Sequence, residues 1–458
     1  MKNKIQKLKK LQKPTYIKLA VGVDFFDLFR KIEKKFDTCF LYESLGEEGK
    51  FSRYSIIGFE PEKIIGAREG DLIIDGIKYP VRNPYDALRR LMPAPAIATN
   101  YAGGLVGYLS YEAFNYMEPS VHVKVSDHFP QFLFGVYMDG LILDKLTNEL
   151  LYFFYTVDRS EVLRKLLRTH AKRTAFSAKV IGEGLTKGEH QKIVESVKEK
   201  IRAGNTFQCE VGFKTEYRIS GNPLFVYERL RKINPSPFMY FLKFGDPSTK
   251  LGTGKTIIGA SPELLFSLRS GEMTTRPLAG TIRRGKNEVE DMRLARELVN
   301  DEKEKAEHAM LVDLHRNDLG RVAQFGTVKV RDLMTVKKFS HVQHISSEVV
   351  GTIAKGRDAF SAFASNFPMG TVTGTPKIET IKIIDENEPD ARGPYGGGVG
   401  HFGFNGDCTF ALALRSLFVS GSYAYSQTSS GIVYDSVPEK EFDEIKSKSA
   451  AMKKAIGI

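Results

Sequence analysis

The first part of the chain alternates short apolar runs with turn residues, which is the pattern of β-strands joined by tight connections. The runs that predict strands are FLYES, YSIIGF, KIIGA, DLIIDG, GGLVGYLSYE, FLFGVYMDGLILD and LLYFFYTVD. Two stretches with helical spacing of apolar residues, YDALRRLM and SEVLRKLLRTHAKR, predict helices between them. A polar stretch at residues 176–188 then predicts a boundary between two parts of the chain.

The second part carries longer elements. A helix is predicted over HQKIVESVKEKIRAGN and a longer one over about residues 288–315, and a third helix ends the chain. Strands are predicted in FQCEVGFKTEY, TIIGASPELLFSLR, FALALRSLFV and YAYSQTSSGIV, with glycine-rich turns in MGTVTGTPK and RGPYGGGVGHFG. Many strands without regular βαβ alternation indicate the α+β class, with residues 1–185 and 186–458 as two parts.

Composition narrows the functional classes. A chain of 458 residues with 42% hydrophobic residues can bury a large core, and its net charge of +12 is spread among acidic residues rather than gathered into a nucleic-acid-binding face. Since no apolar run reaches roughly 18 residues, we expect a soluble, cytoplasmic protein. The cysteines, Cys39, Cys209 and Cys408, have no zinc or disulfide spacing and are expected to be buried thiols.

Two distant stretches each place a pair of glutamates three residues apart. Glu304 and Glu307 lie in DEKEKAEHAMLVDLHRND, and Glu441 and Glu444 lie in DSVPEKEFDEIKSKS. On a helix this spacing puts both carboxylates on one face, which alone is most often a solvated face. The apolar run HAMLVDL after Glu307 indicates partial burial, and a buried carboxylate needs a partner or a metal. Magnesium is commonly held by one or two carboxylates plus water and substrate oxygens.

Other motifs exclude some chemistries. GTVTGTPK and YGGGVGHFG lack the spacing of a P-loop or a dinucleotide fingerprint, so we expect tight turns near a ligand rather than a nucleotide site. His341 and His344 match neither a metalloprotease motif nor a Ser-His-Asp signature.

A set of segments in the second part resembles the chorismate-utilising enzymes, and among them the anthranilate synthase branch. The segments, in the family's order, are GASPE, RPLAGT, DEKEKAEHAMLVDLHRNDLGRV, FSHVQHISSEVVG, GTVTGTPK, RGPYGGGVG, ALRS and SGIVYDSVPEKEFDEIKSK. Upstream, FLYES, RYSIIG, GGLVGY and NPSPFMYF match as well. The resemblance implies a large α/β sandwich of packed antiparallel sheets with outer helices. It also implies a regulatory N-terminal part, 1–185, on a chorismate-binding catalytic domain, 186–458.

The resemblance implies roles for the glutamate pairs. Glu307 and Glu444 correspond to magnesium ligands, and Glu304 and Glu441, one helical turn earlier, to outer carboxylates that hold ordered water. The ion would bind the ring carboxylate of chorismate.

The rest of the pocket carries over residue by residue. Glu263 corresponds to the acid that protonates the departing ring hydroxyl, and His344 to a group near that hydroxyl. The implied substrate-binding residues are Gly280, Thr281, Thr371, Tyr395, Arg415, Ser429, Ser430, Gly431 and Lys448. The chain departs from the family where Ser429 and Ser430 replace a glycine and an alanine.

Two positions discriminate among the family's reactions. Relatives that add water carry a lysine base where this chain has Gln208, and the aminodeoxychorismate branch often has a nucleophilic lysine where this chain has Ala279. The resemblance therefore implies amination of chorismate by ammonia to anthranilate and pyruvate, in tryptophan biosynthesis, with aminodeoxychorismate synthesis as the alternative. Because no cysteine lies in a G-x-C-x-G elbow, a separate glutaminase subunit is implied as partner.

A second ligand site is implied by FLYES and NPSPFM, which resemble the tryptophan feedback site of anthranilate synthases. Its residues would be Glu43, Ser44, Pro237, Phe238 and Met239. Ala411 departs from the cysteine often found four residues before the ALRS arginine.

Overall fold

Two twelve-stranded antiparallel sheets make up the β-structure of the described residues in this computed structural model. Those residues are 8, 11, 13–45, 52–96, 98, 101–169, 175–245, 254–339 and 342–458. A buried cluster that includes Phe40 and Tyr240 of one sheet and Val106 and Val399 of the other fills the space between them. The predicted α+β sandwich of packed sheets is therefore confirmed.

The first sheet, here sheet A, has the order β1 (Thr15–Val21), β10 (Glu149–Phe154), β9 (Asp139–Asp144), β3 (Tyr54–Phe59), β2 (Cys39–Glu43), β13 (Phe238–Phe244), β14 (Lys255–Ser261), β23 (Ser416–Ser420), β24 (Tyr423–Ile432), β12 (Gln208–Gly221) and β11 (Phe176–Glu183). A short strand, β20 (Gly374–Thr375), also pairs with β12.

The second sheet, sheet B, has the order β17 (Leu278–Arg283), β19 (Val342–Thr352), β16 (Glu272–Thr275), β15 (Leu264–Arg269), β22 (Cys408–Leu412), β21 (Gly398–Gly403), β7 (Gly104–Leu109), β8 (Phe132–Tyr137), β4 (Lys63–Arg68), β5 (Asp71–Ile74) and β6 (Ile77–Pro80). An additional strand, β18 (Lys329–Lys338), pairs with β19.

Helices join and cover the strands. They are α1 (Phe25–Lys35), α2 (Pro84–Leu91), α3 (Ser160–Leu167), α4 (Lys187–Arg202), α5 (Leu224–Ile233), α6 (Glu288–Asn300), α7 (Glu302–Gly320), α8 (Ala359–Asn366), α9 (Lys377–Asn387) and α10 (Pro438–Ile456), with 3₁₀ turns at Tyr111–Tyr116 and Gly370–Val372. In the part of the chain that the structure describes, no helix combines the length and apolarity needed to cross a bilayer.

Three apolar runs are each divided between the sheets. The chain leaves β8 in sheet B for β9 in sheet A at Met138, leaves β14 for β15 at Pro262–Glu263, and leaves β22 for β23 at residues 413–415. Strands buried in either sheet show the same apolar pattern, so periodicity does not reveal the change of sheet. The residues at these crossings therefore lie where sheet A and sheet B are connected.

The single long helix predicted over residues 288–315 is wrong, because two helices occupy this stretch. Asp301 has extended backbone angles and ends α6, and its carboxylate accepts hydrogen bonds from the N–H groups of Lys303 and Glu304 at the start of α7. The aspartate is thus the N-cap of a second helix. The polar stretch 176–188, where a boundary between the two parts of the chain is predicted, contains β11, which is an edge strand of sheet A.

Strands from residues 1–185 and 186–458 share both sheets, and the assignment of regulatory and catalytic roles to the two ranges stays a prediction. Cys39, Cys209 and Cys408 are buried free thiols, as expected.

Candidate functional site

Two of the predicted residues lie in segments where the chain changes sheets. Glu263 lies between β14 and β15, and Arg415 lies between β22 and β23. The Leu412 N–H donates to the Glu263 carbonyl at 3.1 Å, and the Ala260 N–H donates to the Arg415 carbonyl at 3.3 Å, so the segments are bonded to each other's strands. Arg415 has φ +48°, a left-handed conformation uncommon outside glycine and often found at functional positions.

The Glu263 carboxyl is suited to be a proton donor. It is 3% exposed, and its Oε1 accepts the Leu278 N–H at 3.2 Å. Burial, with a smaller contribution from Glu210, raises its pKa to about 8, although Leu278, Thr371 and Arg415 act in the opposite direction. The group is therefore largely protonated near neutral pH.

The Arg415 guanidinium is an available cation. Among the described residues it has no hydrogen-bond or ion-pair partner, and burial lowers its pKa while Glu263 opposes that shift. A partly buried guanidinium without a partner is costly, so its presence indicates an anionic ligand.

His344 on β19 lies beside Gly280 and Thr281 on β17. Its Nδ1 lies 2.8 Å from the Gly280 carbonyl oxygen and 3.1 Å from Thr281 Oγ1. A carbonyl can only accept, so Nδ1 carries the hydrogen, and the buried Nε2 has no partner in the described part of the chain. Burial, helped by Arg415, lowers the pKa of His344 to about 4. The imidazole is thus neutral with a free acceptor, whereas His341 lies outside the described residues.

The glutamate pairs on α7 and α10 interact with each other. Burial, with smaller contributions from Glu304, Glu210 and Glu441, raises the pKa of Glu307 to about 7, although Lys303, whose Nζ lies 3.7 Å from Glu307 Oε1, acts in the opposite direction. Glu444 is more exposed and contacts Lys448 at 2.6 Å. Within the described ranges, no group of three or more His, Cys, Asp or Glu side chains is close enough to hold a metal by itself. One or two carboxylates plus substrate and water ligands remain the arrangement typical of magnesium.

Two of the remaining polar residues, Ser429 and Ser430, lie on strand β24. The Tyr395 hydroxyl lies 2.8 Å from Ser429 Oγ, and Lys448 Nζ donates to the Ser429 carbonyl at 3.0 Å. The buried hydroxyls of Ser430 and Thr371 make no hydrogen bond of normal geometry in the described structure, although Ser430 lowers the pKa of Glu441 and Thr371 lowers that of Glu263. A polar ligand beside these groups would give the hydroxyls a partner.

One residue of the cluster, Glu210 on β12, was missed by the sequence analysis. Its Oε2 accepts a 2.5 Å hydrogen bond from Ser429 Oγ. A Cβ at Gly431 would lie 2.8 Å from both Glu210 Oε1 and Gln208 Nε2, so a side chain there would displace the polar ends of both residues. Glu210 could have been included from the sequence, because it lies two residues after Gln208, and residues two apart on a strand share a face.

The five residues predicted to bind an inhibitor line a different space. Glu43, Ser44, Pro237, Phe238 and Met239 all border one cavity of about 250 Å³, which Ala411 also lines. Arg231 binds the Glu43 carboxylate through two hydrogen bonds of 2.8 and 3.0 Å, and Tyr227 adds a third at 2.9 Å. The hydroxyls of Ser44 and Tyr101 in the same cavity are buried without a partner among the described residues. The tryptophan-binding role stays a prediction.

The chain is similar to known proteins over most of its length. A family described as chorismate binding enzyme matches residues 37–454. Anthranilate synthase component 1 of Leptospira biflexa is 49% identical, covering 100% of this chain and 99% of that protein. The corresponding protein of Methanothermobacter thermautotrophicus is 40% identical, covering 94% and 92%.

Solved structures give the same result at the level of the fold. Anthranilate synthase component I from Streptococcus pneumoniae has a TM-score of 0.76 and 31% identity, covering 89% of this chain and 94% of that one. The menaquinone-specific isochorismate synthase from Escherichia coli has a TM-score of 0.74 at 16% identity, covering 97% and 94%, so it supports the fold alone.

Proposed function

Because the chain belongs to the family of chorismate-binding enzymes, we propose that it is the large component of an anthranilate synthase, which converts chorismate and ammonia to anthranilate and pyruvate in tryptophan biosynthesis. The observation that carries the reaction is the placement, at the junction of the two sheets, of a buried Glu263 carboxyl with a raised pKa within electrostatic range of the Arg415 guanidinium, which has no hydrogen-bond or ion-pair partner in the described structure. The names of the full-length relatives support the same assignment.

Some of the pocket residues bind the substrate, and one of them transfers a proton. Arg415 and Lys448 bind the two carboxylates of chorismate, and the His344 Nε2 accepts a hydrogen bond from the ring hydroxyl. Glu263 gives its proton to that hydroxyl, which leaves as water while the new C–N bond forms at the ring carbon beside the carboxylated one. A carboxyl with a pKa near 8 is matched to this step at neutral pH.

The carboxylates on α7 and α10 fit a magnesium ion, because burial and, to a smaller extent, the neighbouring carboxylates raise the pKa of Glu307, and a dication would relieve that repulsion. Glu307 and Glu444 would hold the ion, and Glu304 and Glu441 would order its water ligands. Magnesium, when bound, neutralises the ring carboxylate and withdraws electron density from the ring.

The choice of ammonia rests on Gln208 and Ala279. The Gln208 side chain cannot deprotonate water, whereas its buried Oε1, which has no partner in the described structure, is an acceptor suited to an N–H of ammonia. Ala279 offers no nucleophile for covalent attack on the ring. We infer that a glutamine amidotransferase subunit supplies the ammonia, since the three cysteines are buried thiols outside any glutaminase motif.

Feedback inhibition by tryptophan is proposed for the cavity beside Ser44. Its volume of about 250 Å³, its aromatic and aliphatic lining, and the unpartnered hydroxyls of Ser44 and Tyr101 support an amphipathic ligand of this size.

The assignment is tested by incubating the purified chain with chorismate and magnesium, with ammonium, with glutamine, or with glutamine plus a glutaminase subunit. We expect anthranilate with ammonium, and with glutamine only when the second subunit is present. Formation of aminodeoxychorismate without pyruvate release would instead support the folate-branch alternative.

A further inference from the structure

A line of hydrogen-bonding groups leads from the proposed chorismate pocket to a carboxyl group that the mechanism does not use. It runs from the Tyr395 hydroxyl to Ser429 Oγ over 2.8 Å and from Ser429 Oγ to Glu210 Oε2 over 2.5 Å. Tyr395 is 2% exposed and Glu210 is 8% exposed, so solvent has little access to these hydrogen bonds. We call these three residues the relay.

The charges around Glu210 act in both directions. Burial favours its protonated form and raises its pKa, and Glu444 on α10 adds to that effect. Lys448 on α10, the Ser429 hydroxyl, and Arg392 in the segment after α9 favour the ionised form. Glu210 in turn raises the pKa of two further carboxyls, Glu307 on α7 and Glu263 at the sheet crossing. Burial and the neighbouring carboxylate thus make Glu210 easier to protonate than an ordinary glutamate, and further negative charge nearby would favour the protonated form.

The proton on Glu210 determines which way the relay points. An ionised carboxylate only accepts, so Ser429 donates to Glu210 and accepts from Tyr395, whose oxygen then offers only lone pairs to the pocket. A protonated Glu210 can donate to Ser429, which then donates to the Tyr395 oxygen. In that state the phenolic hydrogen of Tyr395 is free to bond a ligand.

We propose that the dianionic substrate binds together with one proton on Glu210, which reverses the relay so that Tyr395 donates its hydrogen bond to a substrate carboxylate. The proton comes from solvent and ends on the Glu210 carboxyl oxygen, and no other covalent bond changes. Arrival of negative charge beside Glu210 favours that uptake by the same electrostatics that couple neighbouring carboxylates. Glu210 is thus a positioning residue for Tyr395, and this role rests on the proposed function.

Calorimetric titration of chorismate into the magnesium-loaded chain, without ammonium or glutamine, tests this inference. Repeating the titration in buffers of different ionisation enthalpy gives the number of protons taken up per bound molecule. We expect Glu210→Gln to bind with about one proton less than the parent chain, because it removes the titrating carboxyl. Ser429→Ala keeps the carboxyl but removes the hydroxyl that connects it to Tyr395, so it should take up less than the parent chain.

Glu216→Gln is the matched control, since Glu216 lies on the same strand and accepts a 2.6 Å hydrogen bond from the Tyr423 hydroxyl away from the pocket. It should keep the parent's proton uptake. Equal uptake by the parent, Glu210→Gln and Ser429→Ala, with binding retained, would overturn the relay while leaving the proposed function intact. No binding of chorismate by the parent chain would overturn both.

Discussion

The Glu304 carboxylate of α7 lies against the backbone of Gly280 on β17, so closely that a Cβ at position 280 would be 2.8 Å from Glu304 Oε2. Gly280 also has φ +60° and presents its carbonyl to His344 Nδ1 at 2.8 Å. One glycine therefore joins the carboxylate face of α7 to the imidazole of β19. The site depends on the absence of a side chain at this position.

This contact predicts the effect of Gly280→Ala. The methyl group would displace Glu304 and strain the backbone, so we expect a loss of about 1 kcal/mol in the free energy of unfolding and at least a tenfold fall in kcat/KM. The matched control is Gly271→Ala, where φ is +84° and no atom lies within 4 Å of the added Cβ. The control should lose similar stability and keep its activity. Equal activity losses in the two variants would contradict the contact's role.

Glu263→Gln separates proton donation from folding. The amide cannot donate an acidic proton, so we expect kcat to fall by about 10²-fold or more with little change in KM. Substrate binding can be measured alongside the rate to confirm the separation. A variant that keeps its kcat would show that the departing hydroxyl obtains its proton elsewhere.

The same substitution changes how stability depends on pH. The folded pKa of Glu263 is about 8, above its ordinary value of 4.5, so its contribution to stability is complete below pH 4.5 and is lost as pH rises through 8. Between these values the parent should lose stability relative to Glu263→Gln, with a slope approaching about 1.4 kcal/mol per pH unit. Denaturant unfolding of both proteins at several pH values measures the difference. A difference that does not change with pH would contradict the raised pKa.

The unpartnered guanidinium of Arg415 predicts a change in binding without a loss of stability. Replacement by Gln removes a partly buried charge, so the fold should be as stable as the parent or more so, whereas KM for chorismate should rise by about 10- to 100-fold. Arg293→Gln is the control, because Arg293 is exposed and pairs only with Glu297 at 3.0 Å in the described structure. An unchanged KM in Arg415→Gln would refute the assignment of this residue to a substrate carboxylate.

The metal assignment predicts the behaviour of Glu307→Gln. Loss of one carboxylate should weaken magnesium activation, so that at limiting magnesium the rate falls by at least tenfold and rises again when the metal is in excess. Glu302→Gln on the same helix is the control, since its side chain is 88% exposed and contacts only Lys305 among the described ion pairs. Near-parent activity of Glu307→Gln at limiting magnesium would show that this glutamate is not a ligand.

The parts of the site that follow from local spacing could be predicted from the sequence. Glu304 and Glu307 share a face of α7 because they are one helical turn apart, although the break at Asp301 was not foreseen. A cap is a local hydrogen bond, and an aspartate inside an apolar helical pattern does not reveal whether it makes one.

The parts that depend on which strands become neighbours could not be predicted from periodicity. Glu263 and Arg415 were identified only through family resemblance, since the crossing of β14 to β15 and of β22 to β23 leaves no trace in an apolar run. Glu210 could have been placed on the same strand face as Gln208, two residues away, but its contact with Ser429 depends on the pairing of β12 with β24. Non-local pairing is therefore what assembles this pocket.

The central claim is tested most directly by the fate of nitrogen and the enolpyruvyl side chain in one reaction. The purified chain is given chorismate, magnesium and ammonium labelled with heavy nitrogen, and the products are identified by mass spectrometry. We predict anthranilate carrying the label, an equal amount of pyruvate, and no product when ammonium is left out. Isochorismate formed without ammonium, or a labelled product that retains the pyruvyl group, would contradict the account.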